Sequence, residues 1–161
     1  MPIESAGILL FREVEGLVEV LLVHPGGPFW ARKDDGAWSI PKGEVAGGET
    51  PLDTAARELH EELGTPPDTD GDMTPLTPRR QASGKLVHAW AVRGEFDPES
   101  LHSQAFEMEW PPRSGRRQSF PEVDRAAWFP IPDAYRKINA AQTGFLDELI
   151  PVSYTHLTLP T

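Results

Sequence analysis

The chain has no cysteine, which excludes disulfides, thiolate zinc sites and cysteine nucleophiles and accords with a reducing compartment. Positive charge is scarce: 15 Lys and Arg stand against 25 Asp and Glu, a formal charge of −10. Such a surface repels phosphate backbones and anionic lipid, so generic nucleic-acid or membrane-surface binding is disfavoured, although divalent cations can still bridge an acidic protein to a polyphosphate. No apolar run approaches the ~18 residues of a membrane span. The opening residues 1–5 lack the basic and apolar regions of a signal peptide. A soluble, cytoplasmic protein is the expectation.

What is present suits one folded domain. The 161 residues match a single domain, and five Trp within a 9% aromatic content can build a core despite only 39% apolar residues. Residues 6–11 and 17–24 read as two core strands joined by a charged, Gly-ended turn. Loop signals at 25–28 and 34–36 enclose Phe29 to Lys33. A short strand at 37–40 then runs into Pro41, Lys42 and Gly43.

Helical periodicity begins after Glu49. Thr50 reads as an N-cap, Pro51 takes the first helical position, Asp53 suits the helix dipole, and Gly64 supplies the stop. Leu52, Ala55, Ala56, Leu59 and Leu63 form an apolar stripe. Residues 65–78 read as a Pro/Asp/Thr-rich loop, 79–81 and 85–92 as a hairpin, and 106–110 and 126–129 as strands. Helical segments are expected at 133–138 and 143–150. Strands interrupted by one helix and closed by another imply a mixed α/β domain with helices on the faces of a sheet.

Glu58, Glu61 and Glu62 emerge from one arc of the central helix, opposite the stripe. Like charges at this spacing repel by a few tenths of a kcal/mol per pair, and a hard divalent cation with oxygen ligands converts that repulsion into binding. Alone, such an arc is as readily a solvated face. Its context is more specific: Gly43, Glu49, Arg57, Glu58, Leu59, Glu61, Glu62 and Gly64 resemble the Nudix box, G-x5-E-x7-R-E-U-x-E-E-x-G-U. Only Thr65 departs from it, where an aliphatic residue is usual.

This resemblance implies a Nudix-type α/β/α sandwich with a mixed central sheet. It further implies hydrolysis of a nucleoside diphosphate linked to another group, with Mg²⁺ or Mn²⁺ as cofactor. By carry-over, Glu61 and Glu62 are metal ligands and Glu58 a ligand or the base that orients water. The Gly43 carbonyl often completes such a site, Arg57 pairs with Glu49, and Gly64 ends the helix. Glu122 is an auxiliary ligand or base. Lys42, Trp30 and Arg116 are the substrate-binding candidates, for phosphate, base and distal phosphates respectively, with Trp90, Trp110 and Phe120 further candidates for the base, each with a plain structural or solvated alternative. His24, His60, His88 and His102 show no ligand spacing.

The lead-in from Trp38 to Glu44 resembles diadenosine tetraphosphate hydrolases and enzymes that clean oxidised nucleotides. A dinucleoside polyphosphate is the expected substrate. The alternatives are a nucleoside triphosphate of the 8-oxo-dGTP type or a non-catalytic nucleotide-binding module. The partner is thus a small nucleotide, with no nucleic acid and no membrane; oligomeric state is not legible. Residues 1–150 are assigned to the domain. Residues 151–161 break the pattern and resemble a translated sequencing adapter, a non-native tail.

Overall fold

The computed structural model describes the backbone of residues 3–156 and side chains up to Leu149. The elements are β1 (Glu4–Val14), β2 (Leu17–Pro25), β3 (Lys42–Glu44), α1 (Pro51–Leu63), β4 (Asp68–Pro75), β5 (Arg79–Arg80) and β6 (Leu86–Glu95). They are followed by β7 (Ala105–Glu109), β8 (Arg117–Pro121), β9 (Val123–Pro130), α2 (Ile131–Lys137) and α3 (Thr143–His156).

Strands β4-β6-β1-β2-β9 lie side by side, with β3 added to β1 and β5 to β6. The sheet is mixed because β1 and β6 run parallel while the other pairs are antiparallel. Alternation along β1 builds two cores. Ala6, Ile8 and Leu10 face α1 with Leu59 and Leu63, whereas Leu9 and Phe11 join Phe145, Leu146 and Leu149 of α3 on the other face. A strand covered on both sides must be apolar at nearly every position, as β1 is. The architecture is the expected α/β/α sandwich.

One edge of β1 changes partner along its length: Ser5–Gly7 pair with β3, and Phe11–Val14 with β2. The sheet therefore forks at Ile8, whose N–H donates to the Pro41 carbonyl at 3.1 Å. Lys42, Gly43, Glu58, Glu62 and Glu122 gather at that fork.

Several elements differ from the sequence expectation. The strand expected at 37–40 forms only isolated bridges, Val23 with Ser39 and Trp38 with Ile138, while the neighbouring Lys42–Glu44 pairs with β1. Residues 68–75, read as loop, form β4, because main-chain bonding to β6 needs no apolar side chains at an exposed edge. Residues 113–117, a local basic loop by sequence, run into β8, which pairs with β7. Helix α3 continues past residue 151 to His156; residues 157–161 of the tail lie outside the described residues. Among the described residues, no helix is long and apolar enough to cross a membrane.

Candidate active site

Helix α1 begins and ends as its sequence directs. The Thr50 hydroxyl accepts from Asp53 N–H at 3.1 Å, Pro51 follows, and Gly64 closes the helix in the left-handed region at φ 81°. Its buried face is rotated from the expected stripe: Leu52 is 40% exposed and Ala56 exposed, whereas Thr54 is wholly buried. β3 packs along that side of the helix. Rotation brings Glu58 and Glu62 against the sheet instead of opposite it, and leaves both partly buried.

Two linked groups result. In the first, Arg57 Nε and Nη2 donate to Glu49 at 2.7 and 2.9 Å, while Nη1 donates to Glu58 and Glu61, each at 3.0 Å. Glu49 also accepts from the Thr54 hydroxyl at 2.9 Å and from Ala46 N–H at 3.3 Å. The Arg57 and Thr54 hydrogen bonds pull the Glu49 carboxyl down to about 2. Arg57, in turn, is held above its ordinary value, chiefly by its bond to Glu49. The loop before α1 is thereby tied to the helix by a bidentate pair, the geometry in which Arg binds carboxylate most strongly.

In the second group, Lys42, Glu62 and Glu122 line a cleft of about 150 Å³ at the fork, with Val23, Pro25 and Ile40. Lys42 N–H donates to Glu62 at 3.3 Å. Burial, reinforced by the charges of Glu58 and Glu122, pushes the Glu62 carboxyl up to about 8 against that bond. Glu58 is raised by burial and then by Glu61. Lys42 is lowered by burial and then by Lys85, a cation that no local pattern marked and whose ammonium lies 3.7 Å from Glu44. A Cβ on Gly43 would overlap the Glu58 carboxylate, so only glycine lets this carboxylate reach the β3 backbone.

Among the described residues, no three His, Asp or Glu side chains converge in ligating geometry. The reason is visible: Arg57 holds Glu58 and Glu61, and Lys42 N–H holds Glu62. The donor chemistry nonetheless fits a hard divalent cation, since Glu58 and Glu62 are raised by burial and by neighbouring carboxylates, a penalty that a cation relieves. Trp30 and Arg116 do not line the cleft; Trp30 sits on the turn after β2, and Arg116 at the tip of the β7–β8 hairpin. A more apolar hollow of about 220 Å³ on the other side of α1 carries His60 as its one titratable side chain and offers no fixed cation to a phosphate.

His24 escaped the sequence reading because one histidine in an apolar strand has no local signature. It is wholly buried and edge-on to Trp38; Nε2 donates to the Lys33 carbonyl at 2.6 Å, and Nδ1 lies 2.8 Å from Asp124. It ties the turn after β2 to the strand that follows Glu122.

A helix-borne carboxylate cluster, braced by an arginine and abutting a glycine, stands at the fork of a mixed sheet in an α/β sandwich. The chain belongs to the NUDIX family: the NUDIX domain model matches residues 1–149. It is 28% identical over 141 residues to an 8-oxo-(d)GTP phosphatase of Mycolicibacterium smegmatis, covering 80% of this chain and 35% of that protein. An RNA pyrophosphohydrolase of Francisella tularensis is 49% identical over 49 residues, 30% of this chain and 32% of that one. The chain thus spans about a third of the length of these curated relatives. A Caenorhabditis elegans Ap4A hydrolase shares the fold, with a TM-score of 0.65 and 21% identity over 96% of this chain and 98% of that one.

Proposed function

We propose that this protein is a divalent-metal-dependent hydrolase that cleaves a phosphoanhydride bond in a nucleotide, with a dinucleoside polyphosphate such as diadenosine tetraphosphate as its preferred substrate. The observation that carries the reading is the packing of Glu58 and Glu62 against β3 beside Lys42, with Arg57 bracing Glu58 and Glu61. In this reading Glu58, Glu61, Glu62 and the Gly43 carbonyl hold Mg²⁺, with Mn²⁺ able to replace it, and Glu122 assists from the facing wall. Bound metal supplies Lewis acidity to the phosphate oxygens and lowers the pKa of water.

The chain's own groups do the remaining work. Arg57 orients Glu58 and Glu61. Lys42 and Lys85 supply fixed positive charge for phosphate oxygens in a charge-assisted contact, and Glu58 is placed to accept a proton from attacking water. In this reading Arg116, exposed at the hairpin tip, serves the distal phosphates of the substrate. A second reading, hydrolysis of oxidised nucleoside triphosphates, is favoured by the 8-oxo-(d)GTP phosphatase relative, whose match covers most of this chain.

The test is phosphate release, coupled to a phosphatase, from diadenosine tetraphosphate, 8-oxo-dGTP, ADP-ribose and 5′-triphosphorylated RNA, with and without Mg²⁺. Mg²⁺-dependent turnover ranked with diadenosine tetraphosphate first supports the primary reading; 8-oxo-dGTP first supports the second. No turnover of any of the four with Mg²⁺ removes both.

A further inference from the structure

The turn after β2 presents large aromatic rings to solvent, and the β7–β8 hairpin sets the half-buried ring of Trp110 against one of them. Phe29 is 62% exposed and Trp30 39% exposed. Phe29 and Trp110 meet edge to face, with ring centroids 5.6 Å apart and planes at 76°. Two rings at this angle form an open corner in which a planar heterocycle can stack on one ring and meet the edge of the other. Trp30 is the less available ring, because the Lys33 ammonium already sits 4.9 Å over it.

Both ring-bearing segments spring from the rim of the cleft. Pro25, which lines it, begins the turn to Phe29, and Gly26 N–H donates to the Glu122 carbonyl at 2.9 Å. On the other side, β8 runs directly into Glu122, whose N–H donates to the Gln104 carbonyl at 2.8 Å just before β7. The hairpin tip carries exposed Arg113, Arg116 and Arg117 in a chain of net charge −10. An exposed phenyl ring set against a half-buried indole, beside concentrated cations, matches the two chemical parts of a nucleotide: a flat base and its phosphates.

We propose that Phe29 and Trp110 form a nucleobase platform for the substrate, with the hairpin arginines beside the phosphates that connect that base to the cleft. This rests on the nucleotide reading above and moves base recognition from Trp30 to a pair formed only in the fold.

The experiment measures binding of ATP and of inorganic tripolyphosphate to the full chain by calorimetry, with Ca²⁺, a weaker Lewis acid, replacing Mg²⁺ to slow turnover. Phe29→Leu and Trp110→Leu are each expected to weaken ATP binding roughly five- to a hundredfold, the range for loss of one base–aromatic stack. Tripolyphosphate, which has no base, should bind all variants with wild-type affinity. Trp110→Phe keeps a ring and should retain most of the ATP affinity. Phe29 lies outside the hairpin, so its variant tests the platform even if Trp110→Leu loosens β7 and β8.

Equal losses for both ligands, or no loss for ATP, overturn the platform while leaving the nucleotide reading intact. Variants that change only the oligomeric state make this surface a protein interface and likewise overturn it. Failure of the wild type to bind either ligand removes the nucleotide reading and the platform with it.

Discussion

At the scale of single residues, the site is a set of carboxylates in unequal environments. Glu61 is bonded to Arg57 and stays beside solvent, while Glu62 is pressed against β3. Glu61→Gln preserves volume and removes one charge from the proposed metal cluster, so turnover should fall roughly a hundredfold or more with an unchanged circular dichroism spectrum. Glu62 makes the metal-free protein sensitive to pH. Its folded-state carboxyl is pushed up to about 8 from an ordinary 4.5; the folded state therefore holds a proton that the unfolded chain releases. Stability is complete below the unfolded value and declines as pH rises through the folded one. The melting temperature in EDTA should drop between pH 5 and 8.5, and Mg²⁺ should flatten that slope by favouring the carboxylate. A rising melting temperature in EDTA over this range would contradict the assigned burial of Glu62.

At the scale of elements, α1 is placed by its two ends. Gly64 sits at φ 81°, and a Cβ there would overlap the His102 backbone. Gly64→Ala should therefore destabilise the domain by at least about 1–2 kcal/mol, the cost of the left-handed region for a non-glycine residue, measured by urea denaturation. Helix α3 raises a separate question, because it runs through residue 151 to His156. Its described buried side chains, Phe145, Leu146 and Leu149, all precede that point. We propose that residues 151–161 are non-native; ending the chain after Ile150 should then leave the melting temperature and turnover unchanged within scatter. A fall of several degrees would show that the segment stabilises the domain.

At the scale of the whole molecule, a net charge of −10 surrounds a cleft lined by one cation, Lys42, with Lys85 beside Glu44 and further arginines at the hairpin tip. Each added phosphate gives these cations another charge-assisted contact, so kcat/KM for diadenosine tetraphosphate should exceed that for ADP-ribose, and Lys42→Ala should narrow the difference. A tenfold preference for ADP-ribose would remove the long-polyphosphate proposal and leave family membership untouched. Much of this site was legible in the chain itself. The caps of α1, its length and the spacing of Glu49, Arg57, Glu58, Glu61 and Glu62 are local properties, determined within a few turns by periodicity, capping and dipole. That β1 and β2 are core strands was legible for the same reason. Other features depended on partners distant in sequence: the edge strands β4 and β8, the fork between β2 and β3, the rotation that buries Glu62, the His24–Asp124 tie and the Phe29–Trp110 corner. Strand pairing draws on backbone groups that every residue carries, and desolvation depends on what packs above a side chain, so neither leaves a mark in local composition. The sequence alone determined which helix bears the carboxylates; the tertiary structure decided which of them is buried and what stands beside them.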